Sequence, residues 1–139
     1  MMRFGAVSLR AALLLAALLP TACSLRPGAP EARAEFVIEK LITAPQDTAE
    51  LAEVAVLPAA GPDALVEGVA ARAGLAYFRA RARLGARIRV DASDSHQQGD
   101  RQTVSVNARE GYTGGDVVRF RVHLAQDESG WRVTRITTD

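Results

Sequence analysis

Val118-Arg119-Phe120-Arg121-Val122-His123-Leu124 decides the fold of this 139-residue chain. Apolar and charged side chains alternate through the whole stretch, the period of a strand with one face packed and one face wet. The same period recurs upstream. Val104, Val106 and Ala108 alternate with Thr103, Ser105, Asn107 and Arg109, and Ile88, Val90 and Ala92 alternate with Arg87, Arg89 and Asp91. Downstream, Asp127-Glu128-Ser129-Gly130 turns into Trp131-Arg132-Val133-Thr134-Arg135-Ile136. Ser95 to Asp100 reads as a loop, and Gly111, Gly114 and Gly115 make the next turn. Four consecutive strands joined by short turns predict an antiparallel meander.

Before Gly85 the period is helical. Ala34 to Ile42 predicts a short amphipathic helix with Phe36, Val37 and Leu41 on its face, stopping before Pro45. Pro45-Gln46-Asp47-Thr48 opens a second, with Leu51, Val54 and Ala55 on one side and Glu50 and Glu53 on the other. After the break from Pro58 to Pro62, Asp63 is expected to cap a third and longest helix reaching about Leu84. Its apolar stripe is Leu65, Val66, Val69, Ala73, Ala76, Tyr77, Ala80 and Leu84, and Gly85 ends it. Apolar helix faces need a partner, and the apolar sheet face supplies it. The prediction is an α+β domain of N-terminal helices packed on a curved four-stranded antiparallel sheet.

The N-terminus reads differently. Arg3 and Arg10 precede the uncharged run Ala11 to Leu19, followed by Pro20-Thr21-Ala22-Cys23, the layout of a secretory signal. This end resembles bacterial lipoproteins, whose box reads Leu, small, small, Cys. Thr21, Ala22 and Cys23 fit it, whereas Pro20 stands where a branched aliphatic is expected and Leu19 lies one place early. The resemblance implies that Cys23, the only cysteine, accepts a diacylglycerol and ties the protein to a membrane. Ser24 follows, where an Asp would signal inner-membrane retention. The family pattern therefore implies the periplasmic face of the outer membrane. The other reading is a plain cleaved signal, cut after Ala22 or at Ala32-Arg33-Ala34. Against it, an exported chain with one unpaired Cys is unusual. The uncharged core between Arg10 and Pro20 falls short of the ~20 residues of a spanning helix. The expected organisation is a signal peptide over 1–22, a Pro/Gly-containing tether over 23–34 and one domain over 35–139.

The chain carries 17 basic and 16 acidic residues, and losing Arg3 and Arg10 with the signal leaves the remainder at net −1. That balance and the signal argue against nucleic acid. Helices first, then a meander whose last hairpin reads Asp127-Glu128-Ser129-Gly130-Trp131-Arg132-Val133, is similar to the NTF2-like (cystatin-like cone) superfamily, small bacterial lipoproteins included. The resemblance covers about Ala34 to Thr137. Its members include isomerases, cyclases, dehydratases, secretion-machine subunits and binding domains, so shape does not choose among them.

The residues bound the choice. Enzymes of that shape project acids, His or Tyr into the cone, and a general base must reach its proton in an enclosed pocket. The inward strand positions (Val104, Val106, Val118, Phe120, Val122 and Leu124 among them) cannot titrate. His123 falls on the wet phase, His96 in the turn, and only Tyr77 offers a polar tip on the expected inner helix face. No metal is expected: His96, Asp94 and Asp100 lack ligand spacing, and Asp91-Ala92-Ser93-Asp94-Ser95 lacks the Gly and closing Glu of a calcium loop. No cofactor motif is present either; Gly111-Tyr112-Thr113-Gly114-Gly115 sits between strands. The basic helix positions Arg72, Arg79, Arg81 and Arg83 read as a solvated face.

The wet sheet face is the candidate surface. Arg87, Arg89, Arg119, Arg121, His123 and Arg132 lie on it with Arg109, Ser105 and Asn107, and Asp91, with Glu110 or Asp116, could answer some of the charge. Arg offers a planar fork to carboxylate or phosphate, so the face could hold an anionic envelope ligand or an envelope protein. The plainer reading, and the one the residues alone favour, is that a charged open face keeps the sheet soluble and blocks edge association. The expectation is a lipid-anchored envelope protein with a noncatalytic binding or accessory role, within a larger assembly or alone. The alternative is a small-molecule enzyme of the isomerase or cyclase type.

Overall fold

The computed structural model describes residues 28–111 and 115–139; the expected signal peptide and Cys23, and residues 112–114 of the expected turn, lie outside the described residues. The fold is α+β: the described residues form three α-helices and a four-stranded antiparallel sheet that does not close. Helix α1 spans Pro30–Thr43, α2 spans Thr48–Val54, a 3-10 turn covers Pro62–Leu65, and α3 spans Val69–Arg83. The strands follow as β1 (Ile88–Gln98), β2 (Arg101–Glu110), β3 (Val118–Asp127) and β4 (Gly130–Thr138), paired in chain order.

The meander arises as its period dictates. Val104, Val106, Ala108, Phe120, Val122 and Leu124 are all buried on one face. Against that face pack Val37, Ile38, Leu41 and Ile42 of α1, Leu51 of α2 and Leu75 and Phe78 of α3, in one continuous core. Two departures from the plain alternation are bulges. Between Ala92 and Ser95 the register with β2 slips by one residue, and a second slip separates His123 and Leu124 in the pairing with β4. A bulge adds a residue to one strand and resets which side chains face inward. Past the first bulge β1 continues to Gln98, so the expected loop from Ser95 shrinks to a turn at Gly99-Asp100, with Gly99 at φ +60°.

The helices differ more from expectation. α1 begins at Pro30, inside the expected tether, because proline is at home in a first helical turn. The third helix is interrupted: Gly68 takes φ +95°, a conformation that L side chains rarely adopt, and α3 starts after it. Asp63 therefore caps nothing in α3. It lies in the 3-10 turn and receives Arg79 instead. The two extended segments between these helices run beside β4. Val56 N–H donates to Val133 O and Glu67 N–H to Ile136 O, both at 2.8 Å, which covers that sheet edge.

The inner face of α3 is also a correction. Ala71, Gly74, Leu75 and Phe78 are buried, while Val69, Tyr77 and Leu84 of the expected stripe are exposed. Gly74 lets the helix approach β3 closely: a Cβ there would stand 3.0 Å from Val118 Cγ1.

Candidate functional site

Alternation puts the charged strand positions on the sheet face away from the helices, in rows across the strands. His96 on β1 stands opposite Thr103 on β2, which stands opposite His123 on β3, which stands opposite Arg135 on β4. The next row is Ser105, Arg121 and Thr137, then Asp91, Asn107 and Arg119, then Arg89 and Arg109. Adjacent rows of side chains on strands ~4.8 Å apart form one surface. Where the first bulge bends β1, Asp94, His96, Thr103, Ser105, Arg121 and His123 line an open depression of about 360 Å³.

Like charges side by side must be answered or left for a partner. Asp91 answers two of them, at 3.0 Å from Arg89 and 3.7 Å from Arg109. Arg121 pairs with Asp139, and Arg135 lies 3.8 Å from Glu67. Arg119 donates to the neutral Asn107 side chain at 3.3 Å. Among the described residues no carboxylate pairs with Arg87, Arg101 or Arg119, so the face keeps unanswered positive charge. His123 is half-buried within it, 3.3 Å from Thr137 Oγ1. Burial, then the Arg135 and Arg121 charges, hold its imidazole below the usual range and favour the neutral ring.

Arg87, Arg89, Arg119, Arg121 and His123 thus share one side, as alternation predicts. Arg132 does not join them. Its guanidinium reaches the sheet edge, donating at 2.9 Å to Ala52 O and Ala55 O and at 3.4 Å to Asp127. Glu110 is not available to the outer face either: in the inward phase opposite Ile88, it binds Arg81 of α3 at 2.6 and 2.9 Å. Two residues escape sequence reasoning. Arg135 is brought to the outer face by the second bulge, and His96 by the continuation of β1, and neither bulge has a residue signature.

The basic positions of α3 are not a plain solvated face. Arg79 donates to Leu41 O at 2.7 and 3.0 Å and forks onto Asp63 at 2.9 and 3.1 Å, closing the end of α1 against α3. The hydrogen bonds from Arg79 hold the Asp63 carboxyl below its usual range. Arg72 donates to Val66 O at 3.2 Å.

The inner face offers a different chemistry. It is filled by Phe78, Phe120 and aliphatic side chains, and Gln102 is the buried polar residue among those described, held by Ser95 Oγ and by Glu31 at 3.3 Å. Tyr77 stands half-exposed on the outside of α3, away from that interior. Among the described residues no cluster of His, Cys, Asp and Glu could hold a metal ion, and no helix is long and apolar enough to cross a membrane. Comparison with protein-family models, with curated proteins and with solved structures found no match to this chain.

Proposed function

We propose that this chain is a lipid-anchored envelope protein with a binding or accessory role, whose outer sheet face engages an anionic partner. The NTF2-like resemblance, the anchor on Cys23 and the outer-membrane location belong to this proposal. The observation that carries it is the unanswered charge: Arg87, Arg101 and Arg119 face the side that holds the depression lined by Arg121, His96 and His123. The Arg121 guanidinium, hydroxyls at Thr103 and Ser105 and two imidazoles offer donors to a phosphate or carboxylate group, with Asp94 the carboxylate in the same lining. The small-molecule enzyme reading needs an enclosed polar cavity, and the apolar filling of the inner face lends it no support.

Two measurements test the proposal separately. Intact mass of the mature protein from membranes, with a Cys23→Ala control, reads the anchor: an added diacylglycerol on Cys23 is expected, and an unmodified terminus would remove the lipid reading. Replacing Arg119 and Arg121 with Gln reads the surface. Weakened, salt-sensitive association with envelope components and an unchanged fold are expected. Unchanged association would remove the binding reading while leaving the anchor untouched.

A further inference from the structure

Helix α3 carries two apolar faces, and the fold uses one. Ala71, Gly74, Leu75 and Phe78 turn into the core. On the opposite side Val69, Ala73, Ala76, Ala80 and Leu84 follow one another at spacings of three and four, with Tyr77 beside them, and all face solvent. The largest are well out of the protein: Val69 is 85%, Leu84 77% and Tyr77 47% exposed. No charged residue interrupts this strip, which runs ~22 Å at 1.5 Å per residue. Contiguous exposed apolar residues of this kind are a candidate contact surface.

Its borders say what fits. α3 holds four arginines and no acidic residue. Arg79 and Arg81 are matched by Asp63 and Glu110, whereas Arg72 and Arg83, on the same border, have no carboxylate partner among the described residues. Pairing with a second copy in the antiparallel two-fold manner would set this arginine border against itself. A bilayer surface gains little from an alanine centre, since interfacial helices bury bulky apolar side chains. Alanines at the centre let another helix come close, and Val69 and Leu84 close the ends. We infer that this face of α3 receives an amphipathic α-helix of a partner protein, with acidic residues bordering its apolar stripe. The inference does not depend on the anchor or on the outer sheet face.

The test uses the chain from Cys23 onward with Cys23→Ala, so that no acyl chain contributes. The probes are two labelled 18-residue helical peptides sharing a Leu/Ala stripe, one bordered by Glu and one by Lys, read by fluorescence anisotropy. The Glu-bordered peptide is expected to bind at least tenfold more tightly, with Ala73→Glu/Ala80→Glu losing at least tenfold and Arg83→Gln, which leaves the Arg72 tie to Val66 O in place, removing most of the preference. Val69→Gln/Leu84→Gln provides a second disruption should the first variant fold poorly. Equal binding of the two peptides, or full binding by both disrupted variants, overturns the inference. So does a concentration-dependent dimer, or sedimentation with phosphatidylglycerol vesicles, that the disrupted variants abolish, since each assigns the face to a different occupant.

Discussion

Phe78 and Tyr77 are neighbours on α3 whose replacement by alanine should have opposite consequences. Phe78 is fully buried and belongs to the cluster that joins α3 to α1 and the sheet. Truncating it removes a large apolar side chain and leaves a cavity that helix and sheet cannot collapse without breaking the Arg79 and Arg81 ties. Losses for such Phe→Ala changes run about 3–5 kcal/mol, and the complete burial here points to the upper half, about 4. Tyr77 loses contacts on an exposed face plus one edge-to-face ring contact with Phe78, at 5.2 Å and 76°. That geometry is worth about 0.5–1.5 kcal/mol, and alanine's better helix propensity offsets about 0.5 of it, leaving a net loss of ~1 kcal/mol at most. Urea unfolding followed by Trp131 fluorescence and circular dichroism separates the two. With a slope of about 1.5 kcal/mol per molar, Phe78→Ala should move the midpoint down by more than 2 M and Tyr77→Ala by less than ~0.7 M, with slopes unchanged. Comparable losses for the two variants would mean that α3 is rotated about its axis from the arrangement described, and the exposed strip would go with it.

Three further outcomes follow from the packing. Gly74→Ala should cost about 1 kcal/mol, because the Cβ placed 3.0 Å from Val118 Cγ1 and 3.5 Å from Phe120 Cζ outweighs the ~1 kcal/mol that alanine favours in a helix; a thermal melt showing stabilisation would mean that Val118 yields freely. Arg79→Met should lose about 1–2 kcal/mol at pH 7 and less at pH 3. The Asp63 carboxyl is held low, so its contribution is whole above the ordinary carboxylate range and is lost as pH falls through its lowered value; a pH-independent penalty would contradict the pairing. Glu35→Ala should speed hydrogen exchange at the Ala92 amide, whose N–H donates to Glu35 Oε1 at 2.7 Å beside the first bulge, and unchanged exchange there would show that the carboxylate does not hold it.

The parts of the fold legible in the sequence are those where side-chain type and position agree. Val, Ile and Phe alternating with Arg leave a strand no choice of face, so the meander and its inner residues follow from the period alone. Helix α3 was open to misreading because its alanines score as apolar wherever they fall. Ala73, Ala76 and Ala80 line up with Val69 and Leu84 as well as Leu75 does with Phe78. What selects the buried side is outside the helix: Gly68 breaks the run from Leu65 and resets its direction, and Gly74 admits Val118 on one side only. The bulges in β1 and β4 are register effects between strands, so His96 and Arg135 could reach the outer face without any local sign.

Arginine content is the remaining ambiguity, and the structure divides it by acceptor. Arg33 donates to Trp131 O at 2.8 Å, Arg79 to Leu41 O, Arg132 to Ala52 O and Ala55 O, and Arg72 to Val66 O. Each of these ties a helix or a covering segment to its neighbour through a carbonyl that regular secondary structure leaves without a partner. A guanidinium suits this role, because it spreads five donors on a long stem and keeps its charge toward water. These arginines hold the layers together, and removing one should first be felt in stability. Those of the outer sheet face that have partners bind side chains instead: Arg89 and Arg109 meet Asp91, Arg119 meets Asn107, Arg121 meets Asp139 and Arg135 meets Glu67. On the sheet, an anion-binding surface is therefore to be sought among Arg87, Arg101, Arg119 and Arg121, where substitution changes charge without unfastening the fold.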